Sequence, residues 1–527
     1  MENILEYLEN TAGRKKDEIA VDDGSRCLTW GELKDASRKM GSVLADSLTP
    51  GQPAVVLAEK SAVTLASMLG IVYAGGFYVP VHPEQPSGRI CKILDTLKTE
   101  VVITEKEHLG LLKECGYRGR IILMEEALQG GINCEKLLEI RRNSRETDLL
   151  YGIFTSGSTG IPKCVVVSHK SVIRFIDHFV KIFGITEDDR IGNQAPFDFD
   201  VSVKDIYSSM ATGAALVLIP RELFAMPPRL LDYLCRKKIT TLIWAVSALC
   251  LISALKGLKY KVPETVRKVM FSGESMPVSQ LRIWREALPD AKFVNLYGPT
   301  EITCNCTYFK VEKDFQDQDR LPIGRALPGR KVFLTDENQN EIVIPGKIGE
   351  ICVAGESLSD GYYNQPEQTE EKFVTYLCEQ RTYRTGDEGY YGTDGELYFA
   401  GRKDFQIKHM GRRIELEEIE NALSGIPGVD SSICVFDRDR NRIIGFYKGK
   451  PASGDVRRAL KEKLPPYMVP NRLLQAEDIP LNKNGKKDRA YFMRKISEET
   501  EEWKKGTRKA ETGKKEIEKK EKGETGV

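Results

Sequence analysis

From residues 2–11, where Ile4, Leu5 and Leu8 share one helical face, to about residue 300, short β-branched runs alternate with helix-patterned segments. Ala54-Val55-Val56-Leu57, Val101-Val102-Ile103 and Ala215-Leu216-Val217-Leu218-Ile219 are such runs. Few folds accommodate this alternation, and it predicts a large α/β domain built on mostly parallel sheets. Residues 321–400 differ. Gly-punctuated strands such as Gly349-Glu350-Ile351-Cys352-Val353 and Glu396-Leu397-Tyr398-Phe399 predict a mainly antiparallel, β-barrel-like segment.

The chain turns polar around Gly401-Arg402-Lys403-Asp404. A small α+β unit of roughly ninety residues is expected to follow, with a helix over Glu415–Ser424. The expected division is a large domain over 1–402, a small domain over 403–496 and a charged tail over 497–527. The tail is nearly all Lys, Glu, Thr and Gly, too polar to bury a core, and is expected to be disordered.

Composition excludes several function classes. Lys and Arg number 78 against 77 Asp and Glu, a net charge of +1, which argues against nucleic acid or an anionic membrane as the main partner. The longest apolar stretches, such as 62–74, are too short and interrupted to span a bilayer. No secretion signal is apparent, and the 12 cysteines show no paired spacing, so reduced thiols and a cytoplasmic location are expected. Cys304-Asn305-Cys306 without a second pair is poor zinc evidence.

Thr155-Ser156-Gly157-Ser158-Thr159-Gly160-Ile161-Pro162-Lys163 places four hydroxyls, two glycines and a lysine between two strand-like segments. Glycines admit an anion to the backbone N–H groups, hydroxyls add rotatable donors, and the lysine adds a point charge. A flexible surface loop would share the composition. A Walker loop would not share the order, because Cys164 and a β-branched run follow the lysine.

Further along, Asn295-Leu296-Tyr297-Gly298-Pro299-Thr300-Glu301 follows an apolar run and offers oxygen ligands suited to Mg²⁺ and phosphate. Alone it would read as a plain turn. Tyr383-Arg384-Thr385-Gly386-Asp387 offers a carboxylate able to accept from both hydroxyls of a ribose, or merely a solvated acid in a hairpin. Asn482-Lys483-Asn484-Gly485-Lys486-Lys487 sets a lysine on a glycine turn.

In their shared order and spacing these blocks resemble the AMP-forming adenylating enzymes, the superfamily of acyl-CoA synthetases, luciferases and peptide-synthetase adenylation domains. Leu28-Thr29-Trp30-Gly31-Glu32-Leu33, Gly75-Gly76-Phe77-Tyr78-Val79-Pro80 and Leu464-Pro465-Pro466-Tyr467-Met468-Val469-Pro470 extend the likeness from the first helix to about Tyr491. The resemblance implies a mobile C-terminal lid domain and a set of roles. Thr155, Ser156, Gly157, Ser158, Thr159, Gly160 and Lys163 would hold the β- and γ-phosphates of ATP. Asn295 and Tyr297 would hold the adenine, Thr300 the phosphate and Glu301 the Mg²⁺. Asp387, assisted by Arg402, would bind the ribose. Asp404 would be the hinge and Lys486 the catalytic lysine.

Within the superfamily, Phe199-Asp200-Val201-Ser202 fits the amino-acid-activating members, whose aspartate pairs with the substrate ammonium. By itself Asp200 or Ser202 could equally cap a helix. The motif alignment places Asp200, Val201, Lys204, Met270, Ser272, Leu296 and Cys304 around the substrate. Lys204 would suit an acidic or acceptor-rich side chain, or else extend out of the pocket.

The wording of several motifs looks like D-alanine–carrier protein ligases. The function implied is therefore a stand-alone, monomeric amino acid–carrier protein ligase. It would transfer the activated acid, D-alanine where that likeness holds, to the pantetheine thiol of a separate carrier protein. The alternatives are an acyl-CoA synthetase using free CoA, against which Asp200 argues, and a catalytically silent binding homologue, against which the retained Glu301, Asp387 and Lys486 argue. Departures from the family pattern are His82, Cys164 after the loop lysine, where a free thiol invites oxidation, and Asp360 before Gly361-Tyr362.

Overall fold

The apolar stripe of the first helix, Leu5–Arg14, buries Leu5, Tyr7, Leu8 and Ala12, as its spacing requires. A second helix, Trp30–Leu44, starts at a capping box. Thr29 accepts from the Glu32 backbone N–H at 3.2 Å, and Glu32 accepts from the Thr29 N–H at 2.8 Å. Where this helix meets the helix Ala62–Tyr73, the contact needs glycine on both sides. A Cβ on Gly41 would lie 2.6 Å from the Tyr73 Cβ, and one on Gly70 would lie 2.6 Å from the Met40 Cβ.

The computed structural model describes residues 1–157, 162–376, 380–438, 440–481 and 487–496. They form two compact units, one running to Ile414 and one beginning at Glu415. In the first unit the predicted alternation becomes two α/β sheets. A nine-stranded sheet has six parallel strands: Lys292–Tyr297, Lys268–Ser272, Thr241–Ala245, Arg190–Asn193, Ala215–Leu218 and Ile19–Asp22. A seven-stranded sheet has five parallel strands from Arg120–Leu123 to Leu149–Thr155, then the antiparallel Lys163–Ser168 and Gly361–Tyr362. The Gly-punctuated region forms a six-stranded antiparallel sheet in which the long strand Gln380–Tyr391 pairs with Gly349–Gly355, Phe373–Tyr376 and Leu397–Arg402.

Parallel strands must be buried on both faces, and theirs are: Pro53–Leu57, Phe77–Val81 and Thr241–Ala245 are buried at every residue. At the N-terminal end of the nine-stranded sheet, Asp189 is 1% exposed. It accepts from Lys268 Nζ at 2.7 and 2.9 Å and from the Thr240 and Thr241 hydroxyls at 2.7 and 2.9 Å. Burial alone would raise this carboxyl, but the Lys268 ammonium and the other donors hold it below the usual aspartate range. Asp189→Ala is therefore expected to cost about 3 kcal/mol in urea unfolding at neutral pH, because Lys268 loses its counter-charge. A depressed folded-state value stabilises above the ordinary aspartate value of about 3.9 and ceases to as pH falls below it. The gap between variant and wild type should close under acid; an equal gap at both pH values would contradict the pairing.

In the second unit the helix Leu416–Ser424 packs on a three-stranded sheet. Its strand Arg442–Gly449 pairs antiparallel with Val429–Asp437 and parallel with Arg472–Gln475. Ile433, Val435, Ile444, Phe446 and Phe492 form the core. Glu420, 7% exposed, accepts from the Cys434 N–H and from Arg489, and Lys487 Nζ donates to the Ser432 carbonyl at 2.7 Å. These bonds, with the Leu481–Lys487 bridge, anchor the chain on both sides of residues 482–486.

Cys91 and Cys115 are paired as a disulfide with Cα atoms 5.0 Å apart, contrary to the expectation of reduced thiols throughout. Their separation of 24 residues carries no spacing signal, since Cys91 in the helix Ser87–Leu97 and Cys115 just past the helix Leu109–Glu114 meet only through the fold. Among the described residues no helix is long and apolar enough to cross a membrane.

Candidate active site

Asp387 lies on the long strand Gln380–Tyr391 and is fully buried. Tyr297, at the end of the strand Lys292–Tyr297, donates its hydroxyl to Asp387 Oδ2 at 2.6 Å. Burial first, and the Asp387 charge second, keep that phenol protonated and so a donor. Arg402 Nη1 donates to the other Asp387 oxygen. The same guanidinium grips Asp404 through Nε at 2.6 Å and Nη2 at 2.8 Å, so Asp387 and Asp404 share one arginine. Burial would raise the Asp404 carboxyl; Arg402 holds it below its usual range. A carboxylate has about four lone-pair sites, so Asp387 retains acceptors for further hydroxyls. Asn295 is buried and donates to the Pro322 carbonyl at 2.8 Å.

Thr300 and Glu301 sit on the short 3-10 turn Thr300–Ile302. The preceding Gly298 is obligatory, because a Cβ there would lie 2.5 Å from the Asn305 Cα. Glu301 is 1% exposed and accepts from Arg413 Nη1 at 3.0 and 2.9 Å and from the Tyr362 hydroxyl at 2.8 Å. Burial pushes its carboxyl up, but the Arg413 charge overcomes this and leaves it below the usual glutamate range. The set of a buried carboxylate beside a threonine hydroxyl suits a hard cation, which takes oxygen ligands.

Arg413 belongs to a two-stranded hairpin, Gln406–His409 with Arg412–Glu415. Its carbonyl accepts from the Ser156 hydroxyl at 3.0 Å. On the same hairpin Lys408 Nζ lies 5.0 Å from the Tyr297 ring centroid, and burial lowers its ammonium despite the nearby Asp387. Arg412 pairs with Asp198 at 3.0 Å.

Thr155 and Lys163 face each other across the antiparallel rung that opens the Ser/Thr/Gly loop. Lys163 Nζ is 5.3 Å from the Tyr362 ring centroid. Gly157 is buried at the loop entrance, whereas Ser158, Thr159 and Gly160 lie outside the described residues. Lys486 also lies outside them. Cys164 is fully buried, and burial pushes its thiol well up, so the expected oxidation sensitivity is not supported: the thiolate is both disfavoured and shielded.

Asp200 precedes the helix Val201–Thr212 and is 5% exposed, yet its side chain makes no capping hydrogen bond. The plain capping role thus fails for Asp200, and the Ser202 hydroxyl instead donates to the Phe199 carbonyl at 2.8 Å. Burial raises the Asp200 carboxyl, opposed by the Lys204 charge and by the Thr300 hydroxyl. Lys204 is 1% exposed, so it does not extend to solvent. Its Nζ donates to Asn305 Oδ1 at 2.8 Å and reaches the Ser272 hydroxyl at 3.5 Å. The Cys304 thiol donates to the Asp200 carbonyl at 3.2 Å. Met270, two residues before Ser272 on its strand, shares that face of the sheet, and with Leu296 and Cys304 it belongs to one buried cluster. Val201 is buried beside Asp200 in the chain.

The sequence motifs assign no role to Arg413, Lys408, Tyr362 or Asn305, which only the fold brings to these groups. Strand alternation could have shown that only one of Arg412 and Arg413 faces Glu301, though not which.

The sequence pattern of the AMP-binding enzyme family matches residues 8–363, and that of the AMP-binding enzyme C-terminal domain matches residues 418–486. The first match covers more than half of the chain. The chain belongs to the AMP-binding enzyme family. It is thereby an ATP-dependent ligase of the AMP-forming kind.

This AMP-binding enzyme is 32% identical over 494 residues to surfactin synthase subunit 1 of Bacillus subtilis (strain 168), covering 92% of the chain but 14% of that protein. The chain thus spans a small part of such relatives. Zwittermicin A synthase ZmaJ of Bacillus cereus is 29% identical over 501 residues, covering 92% of the chain and 94% of ZmaJ. Among solved structures, the Vibrio cholerae adenylation domain AlmE in complex with glycyl-adenosine-5'-phosphate superposes with a TM-score of 0.82. At 22% identity, over 94% of the chain and 98% of AlmE, this likeness shows the fold.

Proposed function

We propose that this AMP-binding enzyme activates an amino acid as its aminoacyl-adenylate and then passes it to the pantetheine thiol of a separate carrier protein. The observation that carries the reading is Asp200: a carboxylate 5% exposed, with no cap to serve, held above its usual range by burial. The Lys204 charge offsets only part of the cost of burial, since the carboxyl stays above its usual range, and a substrate ammonium is the further cation that an amino acid brings.

Asp387, with Tyr297 and Arg402 around it, would take the ribose hydroxyls, and Asn295 and Tyr297 the adenine. The 155–160 loop and Lys163 would hold the β- and γ-phosphates. Thr300 and Glu301 would face the phosphates and Mg²⁺, with Arg413 giving way at one Glu301 oxygen. The metal, when bound, would neutralise charge on the phosphates. The substrate carboxylate oxygen bonds to the α-phosphorus as the α–β bridging bond breaks and pyrophosphate leaves. Two anions must meet, so placed positive charge in a site poor in water is the chief requirement. Lys486 would supply it.

In the second half-reaction a thiol sulfur attacks the acyl carbon and AMP leaves. The domain beyond residue 402 would act as a lid turning about Asp404, whose fork with Arg402 would open. We assign the enzyme to the cytoplasm as a monomer. A direct test supplies aminoacyl-adenylate formed in place to a phosphopantetheinylated carrier protein or to free CoA. A thioester on the carrier is expected; transfer to CoA alone would move the enzyme to the acyl-CoA synthetases.

A further inference from the structure

Lys204 is a cation sealed inside the first unit, 1% exposed, one helical turn beyond Asp200 on the helix Val201–Thr212. Residues four apart share a helix face, with Cβ atoms about 5–6 Å apart. That face therefore presents a buried carboxylate and, one turn on, a buried ammonium. An ammonium carries three donors. One is taken by Asn305 Oδ1 at 2.8 Å and another reaches the Ser272 hydroxyl at 3.5 Å, at the limit of a hydrogen bond. The third meets no acceptor among the described residues.

The surroundings hold this donor in place. Asn305 follows two residues in the left-handed region, Thr303 at φ 56° and Cys304 at φ 70°, and its N–H donates to the Thr303 carbonyl at 3.0 Å. A β-branched residue enters that region only under strain, which the fold tolerates where it aims a functional group. Asp205, next in the chain to Lys204, does not use the spare donor. One of its oxygens accepts from Asn193 Nδ2 at 2.7 Å, and the other has no partner. Asn193 in turn accepts from Lys60 Nζ at 3.1 Å, so one Asp205 oxygen is engaged by a separate polar chain and neither oxygen bonds Lys204.

We infer that Lys204, held by Asn305, selects an amino acid whose side chain ends in a carboxylate. The inference rests on the reading of Asp200 as the partner of the substrate ammonium. With the α-ammonium on Asp200, the group one helical turn away that satisfies a desolvated ammonium is an anionic oxygen. Asp200 is the counter-charge nearest in the chain on that face. Once the α-ammonium takes it, a methyl or aliphatic side chain would seal Lys204 from water and leave its third donor unmet. Asn305 is a positioning residue, and Lys204 is the group that touches the substrate.

The test measures amino-acid-dependent pyrophosphate exchange by the wild-type enzyme with aspartate, glutamate, their amides, both alanine enantiomers, leucine and lysine. Aspartate or glutamate should lead the panel, with kcat/KM at least about 10-fold above either alanine. Lys204→Met should lower kcat/KM for the acid by about 10²-fold, mostly through KM, and raise that for leucine. Alanine, leucine or an amide leading the wild-type panel would overturn the inference while keeping amino-acid activation. Exchange with no amino acid would overturn both. The wild-type ranking decides the matter even if Lys204→Met fails to fold.

Discussion

A Lys486→Ala variant is expected to form aminoacyl-adenylate roughly 10²–10³ times more slowly than wild type, the usual effect of removing one charge-stabilising donor from a transition state. Carboxylate and α-phosphate oxygens repel as they approach, and a positioned ammonium relieves the repulsion only in the transition state, so kcat should fall and KM should change little. Transfer of a chemically supplied aminoacyl-adenylate to the thiol should continue near the wild-type rate. Neighbouring Lys487 does not substitute, because its ammonium donates to the Ser432 carbonyl at 2.7 Å. Single-turnover assays of the two half-reactions separate these outcomes. Equal loss in both would show that the lysine serves the protein's integrity and not the first step.

Asp200→Asn should be comparably severe for activity and mild for the fold. The isosteric amide can accept from an ammonium but brings no charge to neutralise it, and losing one charged partner of a buried ion pair costs 2–5 kcal/mol or about 10²-fold or more in binding. The loss should appear chiefly as a raised KM for the amino acid, with KM for ATP unchanged. Stability should stay within about 1 kcal/mol of wild type, since the wild-type carboxylate is itself an uncomfortable buried charge. The sign of the pH effect follows from burial raising the folded-state value. Such an acid weakens the fold as pH rises above the ordinary aspartate value, and the variant lacks that decline. Urea unfolding from pH 4 to 8 checks it; a variant that loses stability steeply at neutral pH would mean Asp200 is structural.

The parallel sheets were legible because buried strands read as continuous apolar runs: Pro53–Leu57 and Ala215–Leu218 are buried throughout, as their composition demands. Helix ends were equally legible where local chemistry sets them. The helix expected over Glu415–Ser424 spans Leu416–Ser424, stopped at Gly425. The candidate site was legible as a list of groups but not as a set of pairs. Asp387, Tyr297 and Arg402 come from three separated segments, and only strand pairing such as Asp387 with Arg402 brings them together.

Lys204 shows the limit most clearly. A lysine in a helix reads equally as buried or as extended, and the two left-handed residues that aim Asn305 at it have no sequence signature. The Cys91–Cys115 pairing and the Arg413–Glu301 contact were hidden for the same reason, since neither residue pair is close in the chain.

The most direct test of amino-acid activation is ATP–pyrophosphate exchange by the wild-type enzyme, comparing each amino acid with the analogue that lacks only the α-amino group. The account predicts exchange with an amino acid and a loss of at least about 10²-fold in kcat/KM when that group is removed, because Asp200 is then buried without its cation. Equal exchange with the deaminated acid would contradict the account and leave an AMP-forming ligase for simple carboxylic acids.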